Sequence, residues 1–109
     1  MKFELLQPRS LQEALEVKKN YGDKARVLAG GTDLLVLLKD QKLTAEVVMS
    51  LAGVRDLNFI RYEDGRGATL GALATHGGVA TSPMIQQKFP DLAEACSQVG
   101  AVQIQNLGT

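Results

Sequence analysis

Between Ser10 and Gly22 the apolar residues Leu11, Ala14, Leu15 and Val17 recur at the three- and four-residue spacings of one helix side. Ser10 with Glu13 three positions on is a capping-box pair, in which each side chain satisfies an orphan backbone N–H at a helix start. The pattern predicts a helix over residues 11–21. Gly22 stands where a left-handed cap would close it, and Lys18 and Lys19 suit the negative end of its dipole. "ARVLA" is a short apolar run ended by Gly30-Gly31 and reads as a buried strand. Thr32 or Asp33 then caps a helix over "LLVLLKDQ". "AEVVMSL" reads as a second buried strand and "GVRDL" as a helical turn after it. Strands alternating with helices over such short links imply a small parallel layer.

The pattern changes at residue 58. "NFIRYEDGRGATLGALA" reads as two strands around Asp64-Gly65-Arg66-Gly67, because glycines supply the positive φ that a tight hairpin turn needs. "THGGVATSPMIQQKFPDLAEACSQVG" follows as two or three short helices, broken at Pro83 and at Phe89-Pro90, the last ended by Gly100. Residues 1–57 are therefore expected as a parallel α/β subdomain, and residues 58–109 as a second one opening on a hairpin.

Composition narrows the chemistry. The 109 residues allow one domain at most, and 45% hydrophobic with 22% charged residues argues for a folded chain. Twelve basic residues balance twelve acidic ones without a charged block, so nothing steers the chain toward nucleic acid or an anionic membrane. One cysteine and one histidine leave no Cys/His metal cluster, and Cys96 reads as a small buried hydrophobe. Glu4 and Pro8 interrupt any signal-peptide apolar region, and "LLVLL" is far too short to span a bilayer. A cytoplasmic, reduced setting is the default expectation.

One partial repeat bears on function. "LAGGTDL" at 28–34 and "LAGVRDL" at 51–57 share Leu-Ala-Gly-x-x-Asp-Leu, yet only the first has a second glycine followed by threonine. Gly31 and Thr32 are thus not needed merely to turn the chain. A helix start carries unpaired N–H groups and about half a positive charge, and glycines before it remove the Cβ atoms that would hold a phosphate away. No Lys or Arg lies between Arg26 and Lys39, so an anion here would be held by main chain and the Thr32 hydroxyl. Asp33 opposes this unless it turns away or caps its own helix. The plainer reading is a turn with a helix cap. The segment matches neither the Gly-x-Gly-x-x-Gly dinucleotide fingerprint nor a P-loop.

Four stretches in order, "PRSLQEAL", "VLAGGTDLLVLLK", "TLGALATHGGVATSP" and "VGAVQIQNLGT", resemble the FAD-binding subunit or domain of the molybdenum hydroxylases, which include xanthine dehydrogenase, aerobic carbon monoxide dehydrogenase and aryl-CoA reductases. They span essentially the whole chain. The resemblance implies a two-part α/β (α+β) fold of the FAD-binding PCMH type, shared with vanillyl-alcohol-oxidase-like flavoproteins, and makes residues 58–109 the beginning of an antiparallel α+β unit. It puts Ala29, Gly30, Gly31, Thr32 and Asp33, followed by Leu34, on the first FAD diphosphate loop, and Thr75 near a further flavin-contacting segment. The second diphosphate loop of that family reads Thr-Ile-Gly-Gly then Asn or Asp, of which Thr109 is the first residue.

It further implies an N-terminal fragment that relays electrons through FAD to a final acceptor. A molybdopterin-binding large subunit and a 2Fe-2S small subunit would be the partners. No residue is nominated as catalytic or as a metal ligand. With half the diphosphate clamp, the chain alone should bind FAD weakly and be inactive, since each lost hydrogen bond to a charged group is worth roughly 1.5–3 kcal/mol. Exposed apolar surface and self-association are expected as well. Two rivals remain: a vanillyl-alcohol-oxidase-like flavoprotein oxidising substrate directly at FAD, and a cofactor-free interaction module. His76 could carry covalent flavin, as in related folds, but lone histidines mostly satisfy local hydrogen bonds. Tyr21 and Tyr62 could stack on a ring or simply pack locally, and Gly77-Gly78 could admit a cofactor or loosen a helix start.

Overall fold

The computed structural model describes residues 2–109, which pack as two compact units divided between Leu57 and Asn58. The first unit holds strand β1 (Glu4–Leu6), helix α1 (Leu11–Tyr21), a 3-10 turn at Gly22–Lys24, strand β2 (Ala25–Leu28), helix α2 (Leu34–Lys39), strand β3 (Val47–Ser50) and a 3-10 turn at Arg55–Leu57. The strands form a parallel sheet in the order β1-β3-β2, with Glu4 and Ala25 both in register with Val47. Central β3 is buried along its whole length, as an apolar run covered on both faces must be. Parallel pairing brings the carboxyl ends of all three strands, at Leu6, Leu28 and Ser50, to one edge.

Several expectations need correction. Strand β1 has no local signature: three residues on a sheet edge take extended form because β3 offers them a ladder. Strand β2 is not buried throughout. Ala25 is fully buried but Val27, two residues on, is 43% exposed, because β2 is the other edge and its cover does not extend that far. Helix α1 begins and ends as its pattern predicts, with the Ser10 hydroxyl accepting from the Glu13 N–H at 3.1 Å. The Glu13 carboxylate instead accepts from Arg9, one residue before the cap, at 2.9 Å. Gly22 has φ 56° with ψ −131°, outside the left-handed helical region, and the chain continues into the 3-10 turn. Lys18 stitches that turn to the sheet, its ammonium donating to the carbonyls of Gly22 at 2.9 Å and Ala25 at 2.8 Å.

The second unit opens with an antiparallel hairpin of β4 (Ile60–Glu63) and β5 (Gly67–Leu70), closed where Gly65 at φ 83° and Gly67 at φ 94° take conformations costly for other residues. Helices α3 (His76–Thr81), α4 (Pro83–Lys88), α5 (Pro90–Ser97) and α6 (Val102–Leu107) follow. Pro83 and Pro90 each occupy a first helical turn, where a missing N–H costs nothing. Val79, Ile85, Ala93 and Cys96 form the core, with Ile60, Ala68 and Phe89 packed on it, so Cys96 serves as a buried hydrophobe. Tyr62 meets Phe89 and lies under the Lys88 ammonium, which fits local packing. Gly100 does not end the last helix. Helix α5 stops at Ser97, Gly100 turns the chain at φ 54°, and α6 runs beyond it.

Candidate functional site

At the carboxyl edge of the parallel sheet, β2 leads through Ala29, Gly30, Gly31, Thr32 and Asp33 into α2. The N–H groups of Gly31, Thr32, Asp33 and Leu34 find no acceptor among the described residues. Bonding resumes with Leu35, whose N–H donates to the Gly31 carbonyl at 3.3 Å. Neither Thr32 nor Asp33 caps the helix with its side chain, contrary to the expected cap. Asp33 is exposed and Thr32 half-buried, as are Ala29, Gly30 and Leu34. Gly31 has φ 81°, and a Cβ there would lie 2.9 Å from Leu35 Cδ1 and 3.2 Å from Leu28 Cδ1.

The second copy of the repeat shows what these features are not for. Aligning the copies sets Ala52 against Ala29, Gly53 against Gly30 and Val54 against Gly31. In the second copy the Ala52 N–H donates to Ser50 Oγ at 3.3 Å and the Val54 N–H to the Leu51 carbonyl at 2.9 Å. Val54 is 1% exposed, and Gly53 is closed in by the Pro8 carbonyl, 3.0 Å from its would-be Cβ. The same strand exit can therefore pair the amide opposite Gly31 within the chain and bury the side chain it carries. The first copy leaves a row of donors unpaired, which suits an acceptor from outside the chain.

Thr75 and Thr109 come together within the second unit. Both line an open cleft of about 340 Å³, with Leu70, Ala74, His76 and Cys96. Thr75 caps α3, its hydroxyl oxygen accepting from the Gly78 N–H at 3.0 Å, which leaves the hydroxyl hydrogen to donate. His76 donates its backbone N–H to the Gly108 carbonyl at 2.9 Å, and its ring Nδ1 lies 2.9 Å from the same oxygen. The local hydrogen-bonding reading of this histidine therefore holds. Gly77 serves packing: a Cβ there would lie 2.7 Å from Asn106 Oδ1 and 3.2 Å from the Gln105 carbonyl. Its only signal in the sequence is its lack of a side chain, which does not say what approaches.

Another cleft, of about 300 Å³, is lined by Lys2, Phe3, Leu38, Gln41, Leu43, Thr44 and Ala45. It lies at the amino ends of β1 and β3, whereas ligands of open α/β sheets bind beyond the carboxyl ends, so it is set aside. Among the described residues no group of three or more His, Cys, Asp or Glu side chains could hold a metal ion, and no helix is long and apolar enough to cross a membrane.

Residues 1–109 match the family described as the FAD binding domain in molybdopterin dehydrogenase. The FAD subunit of nicotinate dehydrogenase from Eubacterium barkeri is 36% identical over 108 residues, 98% of this chain and 36% of that one. The medium chain of carbon monoxide dehydrogenase from Hydrogenophaga pseudoflava is 32% identical over 99% of this chain and 37% of its own. Among solved structures, reconstituted CO dehydrogenase from Oligotropha carboxidovorans superposes with a TM-score of 0.96 at 30% identity, covering 100% of this chain and 38% of that one. The chain thus spans little more than a third of the length of these relatives.

Proposed function

Because the chain belongs to the family of FAD-binding domains of molybdopterin dehydrogenases, we propose that its Gly30-Gly31 bend holds the diphosphate of FAD with main-chain amides. The observation that carries this reading is the row of unpaired N–H groups from Gly31 to Leu34, set against the second copy, where the Val54 and Leu57 amides at the ends of the equivalent row are bonded within the chain. Four donors at a helix start need no basic side chain to attract an anion. Gly31 makes the bend at φ 81° without a Cβ to crowd Leu28 and Leu35, and Thr32 adds a hydroxyl beside it. Asp33 leaves the amides uncontested, since its carboxylate caps none of them.

Thr75 and Thr109 are proposed as flavin contacts from the cleft of the second unit, where the Thr75 hydroxyl still has a hydrogen to give. When bound, FAD supplies the redox chemistry, passing electrons between iron–sulfur centres and a final acceptor. The residues of this chain bind and orient it; none is positioned as a general acid or base. Within a complete enzyme the proposed role is that of the subunit that carries FAD, beside a molybdopterin-binding large subunit and a 2Fe-2S small subunit. Relatives of dehydrogenase complexes that match nearly the whole chain support this over the interaction-module reading.

Flavin fluorescence tests it. Titrating the chain with FAD and with riboflavin, which lacks the diphosphate, should show binding of FAD and much weaker binding of riboflavin, with inorganic diphosphate competing against FAD. Equal affinity for the two flavins would remove the diphosphate grip from the reading.

A further inference from the structure

We propose that His76 is a positioning residue, a two-point clamp on the Gly108 carbonyl that sets Thr109 on the cleft wall beside Thr75; the proposal rests on the flavin reading of that cleft. Backbone N–H and ring Nδ1 of His76 both reach the Gly108 oxygen at 2.9 Å. A carbonyl oxygen only accepts, and its two lone pairs serve both donors. The proton of the neutral ring is therefore on Nδ1, and Nε2 keeps its lone pair.

The surroundings are built for this approach. Gly108 itself donates its N–H to the Ile104 carbonyl at 2.7 Å, so the peptide just before the gripped carbonyl is tied back to α6. A Cβ on Gly108 would stand 3.1 Å from Ile104 O and 3.2 Å from His76 Nδ1, so a larger residue would push the ring away. One residue along α3, Gly77 lets the α6 backbone come within the same close range. The two donors of His76 thus hold the Gly108–Thr109 peptide by its oxygen, while the peptide before it is held to α6. The next residue is Thr109, which lines the cleft together with His76 and Thr75. Fixing that peptide fixes where the Thr109 amide and Cα stand on the cleft wall. The role requires a donor at the Nδ1 position and no covalent chemistry on the ring.

Asparagine places an amide donor close to the position of Nδ1, whereas glutamine places it near Nε2, so the two variants separate the clamp from bulk or polarity. In the 109-residue chain, nitrogen NMR at alkaline pH should find the proton on Nδ1. The heteronuclear NOE of the Thr109 amide, which shares its peptide plane with the gripped carbonyl, should be higher in wild type and His76→Asn than in His76→Ala and His76→Gln. FAD affinity, read by flavin fluorescence, should weaken about tenfold in the Ala and Gln variants, the loss of one hydrogen bond, and recover to within about threefold in His76→Asn. Thermal melts check that each variant is folded; if His76→Ala is not, the Asn and Gln pair carries the comparison. A proton on Nε2, or an unchanged Thr109 amide signal in His76→Gln, overturns the clamp. FAD affinity equal in wild type and His76→Gln overturns the positioning role while leaving the flavin reading intact. A wild-type chain that ignores FAD even at about millimolar concentration, where weak binding still registers, overturns the flavin reading, and the role of His76 with it, even if the flavin-free NMR still shows the clamp.

Discussion

Leu51 donates its backbone N–H to the carbonyl of Leu28 at 2.9 Å, joining the first residues of the two Leu-Ala-Gly-x-x-Asp-Leu segments at the carboxyl edge of the sheet. From that shared start the segments diverge. One turns inward and buries Val54; the other turns at Gly31 and leaves its amides open.

Making the first copy resemble the second should therefore damage it. Gly31→Val puts a β-branched residue at φ 81° and its Cβ within 2.9 Å of Leu35 Cδ1. The expected cost is about 1–3 kcal/mol in urea denaturation, together with loss of FAD binding. The reciprocal Val54→Ala should cost about 2 kcal/mol from lost burial and leave the diphosphate loop able to bind. Retention of FAD affinity in folded Gly31→Val would contradict the loop assignment.

Ser10→Ala removes the side-chain acceptor for the Glu13 N–H at the start of α1. A destabilisation of about 1 kcal/mol is expected. FAD affinity should stay unchanged, because α1 enters neither the loop nor the cleft, and a flavin titration beside the denaturation curve checks both.

Ile85 is fully buried among Val79, Ala93 and Cys96. Truncation to alanine should cost about 2–5 kcal/mol by lost transfer energy and an unfilled cavity. Since a small domain has only about 5–15 kcal/mol in total, the thermal midpoint of Ile85→Ala should fall by many degrees. A shift within scan error would show that the helices of the second unit do not pack as described.

On α6, Val102 is 66% and Leu107 57% exposed. Apolar residues this open favour association between chains. Sedimentation of the 109-residue chain should show mass rising with concentration, and replacing both residues by lysine should return it toward monomer. A concentration-independent monomer for the parent chain would remove this expectation.

Much of the molecule was legible in its residues. Ser10 and Glu13, Pro83, Pro90 and Gly65 act on backbone groups within four residues of themselves, so the limits of α1, the helix breaks at Pro83 and Pro90 and the hairpin followed from spacing alone. The apolar run Val47-Val48-Met49 likewise announced a buried strand. Even the contrast between Gly31 and Val54 could be read as a difference in purpose.

What the residues could not declare was every outcome decided by a partner distant along the chain. Strand β1 is extended because β3 pairs with it, and Val27 is open because β2 ended at an edge. Asp33 looks like a helix cap by type, yet its side chain takes no amide. Gly77, His76 and Gly108 became a single device only when α6 folded back on α3. Short-range hydrogen bonding and steric limits are written into neighbouring residues, whereas ladder position, cover and close approach depend on which surfaces meet, and that is settled only when the whole unit packs.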